Sequence, residues 1–335
     1  MHVVHHAGGN ICTALPLPDL PIRLEATASA PRKIVPHYSA VAHRCQASVG
    51  RRSSHACPTR GGIVNLKRIA LTLPLAVFHR LPAGAKLWLR SFKRQEPEFY
   101  ELPWLVAPST MAVDIGANKG AYTYRLSRLV GRNGIVVAVE PIRELADYLR
   151  RACRHLRLPV HLEECCLSAQ NGSAELFIPT FGDGSMATGL ATLAACPKTC
   201  SGLSRTVATK TLDGVLAHRD KRVSFIKCDV EGHELEVFKG ATGVLANDRP
   251  NLLVEIEQRH LNHDIQVSFA FFQAFRYRGW FLESGNLHEI QEFRGDRHQT
   301  PESDRMGTGR PYINNFFFLP EEVDAAHARA SSGLI

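Results

Sequence analysis

Four ionisable side chains follow an apolar stretch in the segment SFIKCDVEGHELEVFKG: Asp229, Glu231, His233 and Glu234. A carboxylate such as Asp229 can hold a cationic amino group or orient a hydroxyl group that is to react. Histidine titrates near neutral pH, so His233 is a candidate general base, although a histidine in this position can equally bond to a loop carbonyl. Acidic residues in a first helical turn favour the helix dipole, and we interpret Glu231 and Glu234 as residues of this kind.

A second set of candidate residues surrounds the glycine-rich sequence DIGANKG. Gly116 and Gly120 let a ligand approach the backbone closely, and a helix that begins near Gly120 offers free N–H groups to a carboxylate or phosphate. Glu140 ends the next apolar stretch, GIVVAVE, where its carboxylate can accept hydrogen bonds from both hydroxyls of a ribose. These residues predict a nucleoside-binding site.

Two nucleoside cofactors compete for this site. A nicotinamide dinucleotide favours the spacing G-x-G-x-x-G, whereas the glycines here are spaced G-x-x-x-G with Asn118 and Lys119 between them. An acidic residue about 20 positions later occurs in both designs, so Glu140 does not decide between them. Asp114 favours a ligand with a cationic amino group, and S-adenosyl-L-methionine has one. We therefore expect S-adenosyl-L-methionine, and a glycine-rich turn without a ligand is the structural alternative.

The order of the predicted elements indicates how these residues are positioned. The stretches MAVDI, GIVVAVE, VHLEECCLS and GSAELFIP are typical of strands, and AYTYRLSRLVG and PIRELADYLRRACRHLRL have the apolar spacing of helices. Their alternation predicts an α/β fold with a right-handed, doubly wound parallel sheet. Such sheets bind ligands beyond the carboxyl ends of their strands, where the strand order reverses. Later, WFLES and YINNFFFLP are typical of strands, and VSFAFFQAFRYRG predicts an amphipathic helix that ends at Gly279.

The charge of the chain is unevenly distributed. Of its 335 residues, 44% are hydrophobic, and the formal net charge is +8. Residues 1–62 contain seven Lys or Arg and two acidic residues, so they carry +5 and the remaining residues carry only +3. Because the excess belongs mainly to this first segment, we expect no nucleic-acid partner.

Composition divides the chain into four parts. Residues 1–62 are rich in Pro, His, Ser and Arg and predict a disordered basic leader, with a transit peptide as the functional alternative. Residues 63–108 are interpreted as a helical lead-in, residues 109–320 as the main domain and residues 321–335 as a tail.

Hydropathy and cysteine usage bear on the compartment. The apolar run at 69–78 is too short to cross about 30 Å of hydrocarbon, so we expect no transmembrane segment and, at most, contact with a membrane surface through residues 64–92. Nine cysteines without paired spacings, and no secretory signal, predict a reducing cytoplasm. Cys196 and Cys200 have no second pair of zinc-ligand spacing, so no zinc site is expected.

Six motifs occur in a characteristic order: VDIGANKGAYTYRLS, VVAVEP, VATKTLDGVL, SFIKCDVEGHELEVFKGA, PNLLVEIE and NNFFFLP. With this combination the chain resembles the FkbM family of S-adenosylmethionine-dependent methyltransferases over about residues 109–320. The resemblance implies a class I methyltransferase fold, with a seven-stranded, mostly parallel Rossmann-like sheet and a terminal antiparallel hairpin. It also implies O-methylation of a hydroxyl on a small natural product, a sugar or a glycan.

The resemblance implies roles for individual residues. It assigns the methionine part of the cofactor to one group of loop and helix residues, which are Asp114, Gly116, Asn118, Gly120, Tyr122 and Thr123. Glu140 matches the ribose acceptor. Leu167 and Ser168 lie where the family's third strand passes the adenine, although Cys166 stands where the family usually has alanine. Asp229 is placed to face the sulfonium and the acceptor.

The predicted catalytic residues are His233, Asp229 and Glu255, the last at the family's acidic position in NLLVEIE. A metal site could be drawn from these three residues, but no cluster of oxygen ligands typical of magnesium is apparent, and we expect a metal-independent enzyme. Residues 180–200 are interpreted as a mobile loop that covers the acceptor, or as a plain insertion. A nicotinamide-dependent oxidoreductase and a non-catalytic nucleotide-binding protein on the same fold are the alternative functions.

Overall fold

The computed structural model describes residues 82–87, 96–193, 201–300, 312–325 and 329. The predicted leader at 1–62, the pair Cys196 and Cys200, and most of the predicted tail at 321–335 lie outside the described residues. Among the described residues, no helix combines the length and the apolar character needed to cross a membrane.

The described part of the predicted lead-in is made of short helical turns. Residues 83–87 are helical, Pro97–Tyr100 form a 3-10 helix, and helix α1 spans Leu102–Leu105. Phe99 and Leu102 are buried, so these turns pack on the main domain through apolar side chains.

The later residues form a central eight-stranded sheet and a separate three-stranded sheet. The strands are, in chain order, β1 Met111–Ile115, β2 Ile135–Val139, β3 Val160–Glu163, β4 Cys166–Leu167, β5 Gly172–Pro179, β6 Gly202–Lys210, β7 Val223–Cys228, β8 Asn251–Glu255, β9 Tyr277–Glu283, β10 Asn286–Glu289 and β11 Asn315–Pro320. The central sheet has the order β10-β9-β11-β8-β7-β1-β2-β3, and the small sheet has the order β4-β6-β5.

The strand order of the central sheet reverses between β1 and β7. From β1 the chain adds β2 and β3 on one side, and it returns to place β7 and then β8 on the other, all in parallel. Strand β11 is antiparallel to both of its neighbours, β8 and β9. The predicted α/β class, with its doubly wound sheet and terminal antiparallel strands, is therefore confirmed. An eighth strand, β10, extends the sheet beyond the predicted seven.

Helices lie between the strands along the chain. Their bounds are α2 Ala121–Val130, α3 Arg143–Leu156, α4 Leu212–Val215, α5 Glu234–Lys239, α6 Thr242–Asn247, α7 Ile265–Ala274 and α8 Gly295–His298. Alternate residues of β7 show how the two faces of the sheet are covered. Phe225 packs in one apolar cluster with Leu126 of α2, whereas Ile226 packs in another with Phe238 of α5.

One strand prediction needs correction, and a second is confirmed in a different sheet. The stretch VHLEECCLS is not one strand, because Glu164 and Cys165 interrupt it and only β3 belongs to the central sheet. Strand β4 instead pairs with β6, with Cys166 opposite Thr209. The stretch GSAELFIP forms β5, which is antiparallel to β6 in the small sheet and does not join the central sheet.

The prediction that Gly279 ends a helix is wrong. Helix α7 ends at Ala274, and the chain turns at Arg276, which has a φ of 59°. Gly279 lies inside β9, and a Cβ atom there would be 2.6 Å from Cδ1 of Ile290. This glycine therefore allows close packing of strand β9 against the segment after β10 and does not act as a helix stop.

Candidate active site

The loop between β1 and α2 is held against the end of β2. The backbone N–H groups of Gly116 and Ala117 both donate to the carbonyl of Val139, at 3.0 Å each. Gly116, Asn118 and Gly120 have φ values of 76°, 46° and 79°, in the left-handed region that favours glycine. The loop therefore turns sharply at the carboxyl edge of the sheet, where the strand order reverses.

Glu140, directly after β2, closes this loop from the other side. Its Oε2 accepts a hydrogen bond from the backbone N–H of Asn118 at 2.7 Å, and its Oε1 accepts one from Ile142 at 2.8 Å. Burial raises the pKa of Glu140 to about 7 against the effect of these two hydrogen bonds, and Asp114 and Asp229 add to the rise. Because each carboxylate oxygen has a second acceptor position, both can still bind a hydroxyl of a ligand.

A cleft of about 610 Å³, which includes space open to solvent, lies beside this loop. The predicted site residues that line the cleft are Gly116, Asn118, Glu140, Leu167, Asp229 and His233. Side chains that were not predicted complete the wall, among them Ile142, Cys165, Leu176 and Ala191. The cleft thus joins the glycine loop, the end of β2, strand β4 and the DVEGHE sequence.

Asn118, which lines this cleft, has an unsatisfied acceptor. Its side-chain Oδ1 is buried and has no hydrogen-bond partner among the described residues. Buried polar atoms in native proteins nearly always have a partner, so a ligand with a donor group is expected at this position.

Other predicted site residues lie beneath the loop and do not line the cleft. Asp114 is 2% exposed and accepts a hydrogen bond from the hydroxyl of Thr123 at 2.5 Å. The hydroxyl of Tyr122 donates to Glu96 at 2.7 Å, and its ring packs against Phe99. Gly120, Ser168 and Glu255 also lie outside the cleft lining.

A buried lysine links two of the predicted catalytic residues. The ammonium of Lys227 is 3.8 Å from Oδ2 of Asp229 and 3.6 Å from Oε2 of Glu255. Burial raises the pKa of Glu255 to about 9, the nearby Asp229 charge adds to the rise, and Lys227 opposes it. The amide of Asn314 donates to Oε1 of Glu255 at 2.6 Å. Sequence analysis missed Lys227, although a lysine within an apolar strand was a usable signal.

His233 immediately precedes α5 and faces the cleft. Its Nε2 shares a hydrogen bond of 3.0 Å with the hydroxyl of Ser168. Burial lowers the pKa of His233, so its imidazole is neutral at neutral pH and can accept a proton. The structure therefore brings together His233 and Ser168, two of the predicted site residues. His233 lines the cleft and Ser168 does not.

The two glutamates that flank His233 differ in role. Glu234 is buried, and its Oε1 accepts hydrogen bonds from the N–H groups of Gly232 at 2.9 Å and Val230 at 3.4 Å, in agreement with a helix-start role. The same interpretation of Glu231 is wrong, because α5 begins three residues later and the Glu231 carboxylate pairs with Nδ1 of His260 at 2.7 Å. Glu231 therefore ties its loop to the segment after β8.

Glu231 and His260 form a charged group with Glu257. Their candidate ligand atoms lie within 4.8 Å of one another, and this is the group in the described part of the chain that could hold a metal ion. Glu257, however, already pairs with Arg259 at 2.7 Å and accepts a hydrogen bond from Tyr312. We interpret the group as an ion-pair network, and metal independence stays a prediction.

The segment 180–193 forms part of the cleft wall through four residues, Thr188, Gly189, Ala191 and Leu193. It is anchored at Thr192, whose hydroxyl donates to the carbonyl of Glu231 at 2.6 Å and whose backbone pairs with Phe177. The rest of the predicted covering loop, residues 194–200, lies outside the described residues.

Comparison with known proteins identifies one family. Residues 114–282, which are 169 of the 335, match a family model described as the methyltransferase FkbM domain. No curated protein sequence matches the chain.

Several solved structures are similar to the chain. Methyltransferase FkbM from Methylobacillus flagellatus KT is 16% identical, with 77% of this chain and 60% of that chain covered and a TM-score of 0.40. The O-methyltransferase from Bacillus cereus in complex with SAH is 12% identical, with 76% and 96% covered and a TM-score of 0.40. A SAM-dependent O-methyltransferase from Thermotoga maritima is 13% identical, with 69% and 67% covered and a TM-score of 0.37. The chain therefore spans less than two thirds of the length of the first of these proteins. With these identities and TM-scores, none of the three supports a conclusion about the activity of this chain.

Proposed function

Because the chain belongs to the FkbM methyltransferase family, we propose that it transfers the methyl group of S-adenosyl-L-methionine to a hydroxyl oxygen of a small natural product, a sugar or a glycan. The observation that carries the cofactor assignment is the cleft lined by Glu140, whose carboxylate accepts from the Asn118 backbone N–H, and by Asn118, whose side-chain Oδ1 is unsatisfied. A nucleoside with a cationic amino group offers donors to both residues, because its ribose hydroxyls suit Glu140 and its ammonium suits Asn118.

The remaining cofactor residues are proposed from their positions around the cleft. Leu167 lines it and is assigned to the adenine, together with Ser168, which contacts the cleft residue His233. Asp229 lines the same cleft and is assigned to face the positive charge of the methionine part. We assign a supporting role to the residues beneath the loop, which are Asp114, Gly120, Tyr122 and Thr123.

The cofactor would supply a methyl group bound to a positively charged sulfur. The contribution of the chain is to align the acceptor hydroxyl with that methyl group, which accounts for most of the rate enhancement in displacements of this kind. As the oxygen forms its new bond, its proton becomes acidic, and a nearby base removes it. Two groups of the cleft wall are candidates for this base, Asp229 and His233.

The acceptor is proposed to enter under the segment 180–193, which closes one side of the cleft. We also propose a cytoplasmic location and no nucleic-acid partner. The buried free thiols of Cys153, Cys165, Cys166 and Cys228 support a reducing compartment.

A transfer assay tests the proposed function. The purified chain is incubated with S-adenosyl-L-methionine carrying a labelled methyl group and with panels of hydroxylated natural products, free sugars and lipid-linked glycans. The panels are guided by comparing metabolites of cells with and without the gene. Labelled product carrying an O-methyl group is expected, and it should persist with a chelator present. Label found only on nitrogen or carbon, or activity that requires added Mg²⁺, would contradict the proposal.

A further inference from the structure

Lys227 is a buried cation in an otherwise apolar strand. Only 1% of its surface is exposed, and it lies on the same face of β7 as Phe225. Lysine is almost never fully buried unless it is paired. Its paired residue on the neighbouring strand β1 is Asp114. The carboxyl groups of Asp229 and Glu255 both lie within 4 Å of its ammonium. The strand therefore places a fixed positive charge beside the cleft wall.

The two carboxyl groups beside Lys227 share one buried cation, because an oxygen of each lies within 4 Å of the same ammonium. Two carboxyl groups held at one buried site do not both ionise readily, so the pKa of one of them rises. Burial and the Asp229 charge raise the pKa of Glu255 to about 9, so Glu255 holds a proton at neutral pH. The amide of Asn314 donates to the other oxygen of Glu255, Oε1, at 2.6 Å.

We propose that Lys227 is a positioning residue for methyl transfer: it holds Asp229 and Glu255 as a pair that shares one proton, and this pair receives the proton of the acceptor hydroxyl. The assignment rests on the proposed O-methyltransferase function. Asp229 lines the cleft and Glu255 does not, so the proton enters the pair at Asp229.

The step balances in atoms and electrons. A lone pair of the acceptor oxygen forms the bond to the methyl carbon, and the carbon–sulfur bond breaks with its electron pair left on sulfur. The hydroxyl proton passes to Asp229, so that the pair then holds two protons and later releases one to solvent. A carboxylate beside a cation is a weak base, but it suffices because the attacking oxygen becomes strongly acidic as its bond to carbon forms.

Several other charged or titratable groups lie near the pair, and their signals must be distinguished from those of the pair. They are Asp114 on β1, Cys228 on β7, Tyr122 on α2, Glu98 before α1, and Glu231 after β7. Burial raises the pKa values of Glu98, Glu140 and Glu234 to about 7, whereas that of Glu255 is about 9. Because the pKa of Glu255 lies above those of the other three, its proton is the last of these four to be lost as the pH rises.

Infrared difference spectroscopy tests the pair without any acceptor. Between the two pKa values, wild-type protein should show the carbonyl band of a protonated carboxyl group, and Glu255→Gln should lack it. Glu234→Gln is the matched control and should keep it. In Lys227→Met the band should persist to higher pH, because the cation that favours the ionised form of Glu255 has been removed. Lys227→Arg retains a cation and should keep the wild-type titration. No band in wild-type protein, or the same titration in Lys227→Met, would overturn the proposal.

Turnover with the acceptor found in the transfer assay tests the role of the pair. Glu255→Gln keeps a donor to Asp229 and should retain turnover within about tenfold, whereas Asp229→Asn should lose more than about 100-fold. In Lys227→Met the acid limb of the pH profile should move to higher pH with little change in the KM for the acceptor. An unchanged profile with only a lower Tm would reduce Lys227 to a structural residue. If no acceptor is methylated, the proposed function fails, and the infrared result still decides the pair.

Discussion

Gly116 lies directly against the backbone of Asp229. A Cβ atom on Gly116 would overlap the carbonyl oxygen of Asp229, and the Asp229 N–H donates to the carbonyl of Ile115 at 3.1 Å. This contact joins the glycine loop after β1 to the acidic sequence after β7, which are far apart in the chain. The close approach explains why the glycine loop lines one cleft together with Asp229 and His233, two of the predicted catalytic residues.

Substitution of Gly116 should therefore damage both the fold and the site. Gly116→Ala adds a methyl group that overlaps the Asp229 backbone at a φ of 76°, and we expect a loss of about 2–4 kcal/mol in the free energy of unfolding. Gly184→Ala is the matched control, because Gly184 has a φ of 79° but nothing within 4 Å of an added Cβ atom. It should cost only about 1 kcal/mol. Equal losses in urea denaturation would contradict the role given to the close approach.

His233 and Asp229 are separated by comparing their variants. Because Asp229 belongs to the pair held by Lys227, we expect Asp229→Asn to lower turnover more than about 100-fold and His233→Ala to lower it only about tenfold. Ser168→Ala, which removes the hydrogen-bond partner of His233, should have a still smaller effect. Steady-state kinetics with an identified acceptor provide the measurement. A greater loss in His233→Ala would make His233 the base.

Glu234 should make stability fall as the pH rises. Burial raises its pKa to about 7, above the ordinary value of 4.5, so the folded protein holds this proton more tightly than the unfolded chain. The stabilisation is therefore full below pH 4.5 and is lost as the pH rises through about 7. Relative to Glu234→Gln, which keeps the acceptor atom for Gly232, wild-type protein should lose about 3 kcal/mol across this range.

Denaturation curves at several pH values test the Glu234 prediction. Glu236→Gln is the control, because Glu236 lies in the same helix and pairs with Lys239 at the surface. Its stability should follow that of wild-type protein at each pH. A constant difference between wild-type protein and Glu234→Gln at all pH values would show that Glu234 holds no proton in the folded state.

Thr192 should control how firmly the segment 180–193 closes the cleft. Thr192→Val removes the hydroxyl that donates to Glu231, so we expect faster proteolysis after the exposed Phe181. Thr206→Val, which loses a surface hydrogen bond to Glu175, should be cleaved like wild-type protein. In wild-type protein, cleavage should slow when cofactor and acceptor are both bound. Cleavage that is indifferent to ligands would leave the segment as a plain insertion.

Local patterns were sufficient to predict the glycine loop and the strand ends that line one side of the cleft. The apolar stretches before Asp114 and Glu140 predicted two parallel strands, and parallel strands bring their carboxyl ends to one edge. The glycines at 116 and 120 predicted the turn between them. Each of these features is encoded within a few neighbouring residues, so a single sequence reveals it.

Contacts between distant segments could not be predicted in the same way. Glu231 was interpreted from its own helix, but its partner is His260, which follows a different strand. Gly279 was interpreted as a helix stop, but its lack of a side chain serves packing against Ile290. Lys227 was visible as a lysine in an apolar strand, yet only the register of β1, β7 and β8 reveals the groups that surround it.

Titration calorimetry with S-adenosyl-L-methionine, S-adenosylhomocysteine and NAD tests the central claim most directly. The account predicts that both sulfur nucleosides bind and that NAD does not. Glu140→Ala should weaken their binding about 10- to 100-fold, because a charged acceptor is lost from the cleft. Glu163→Ala, at the end of the neighbouring strand and outside the cleft lining, should leave binding unchanged. Absence of binding by both sulfur nucleosides, or binding of NAD in their place, would contradict the account.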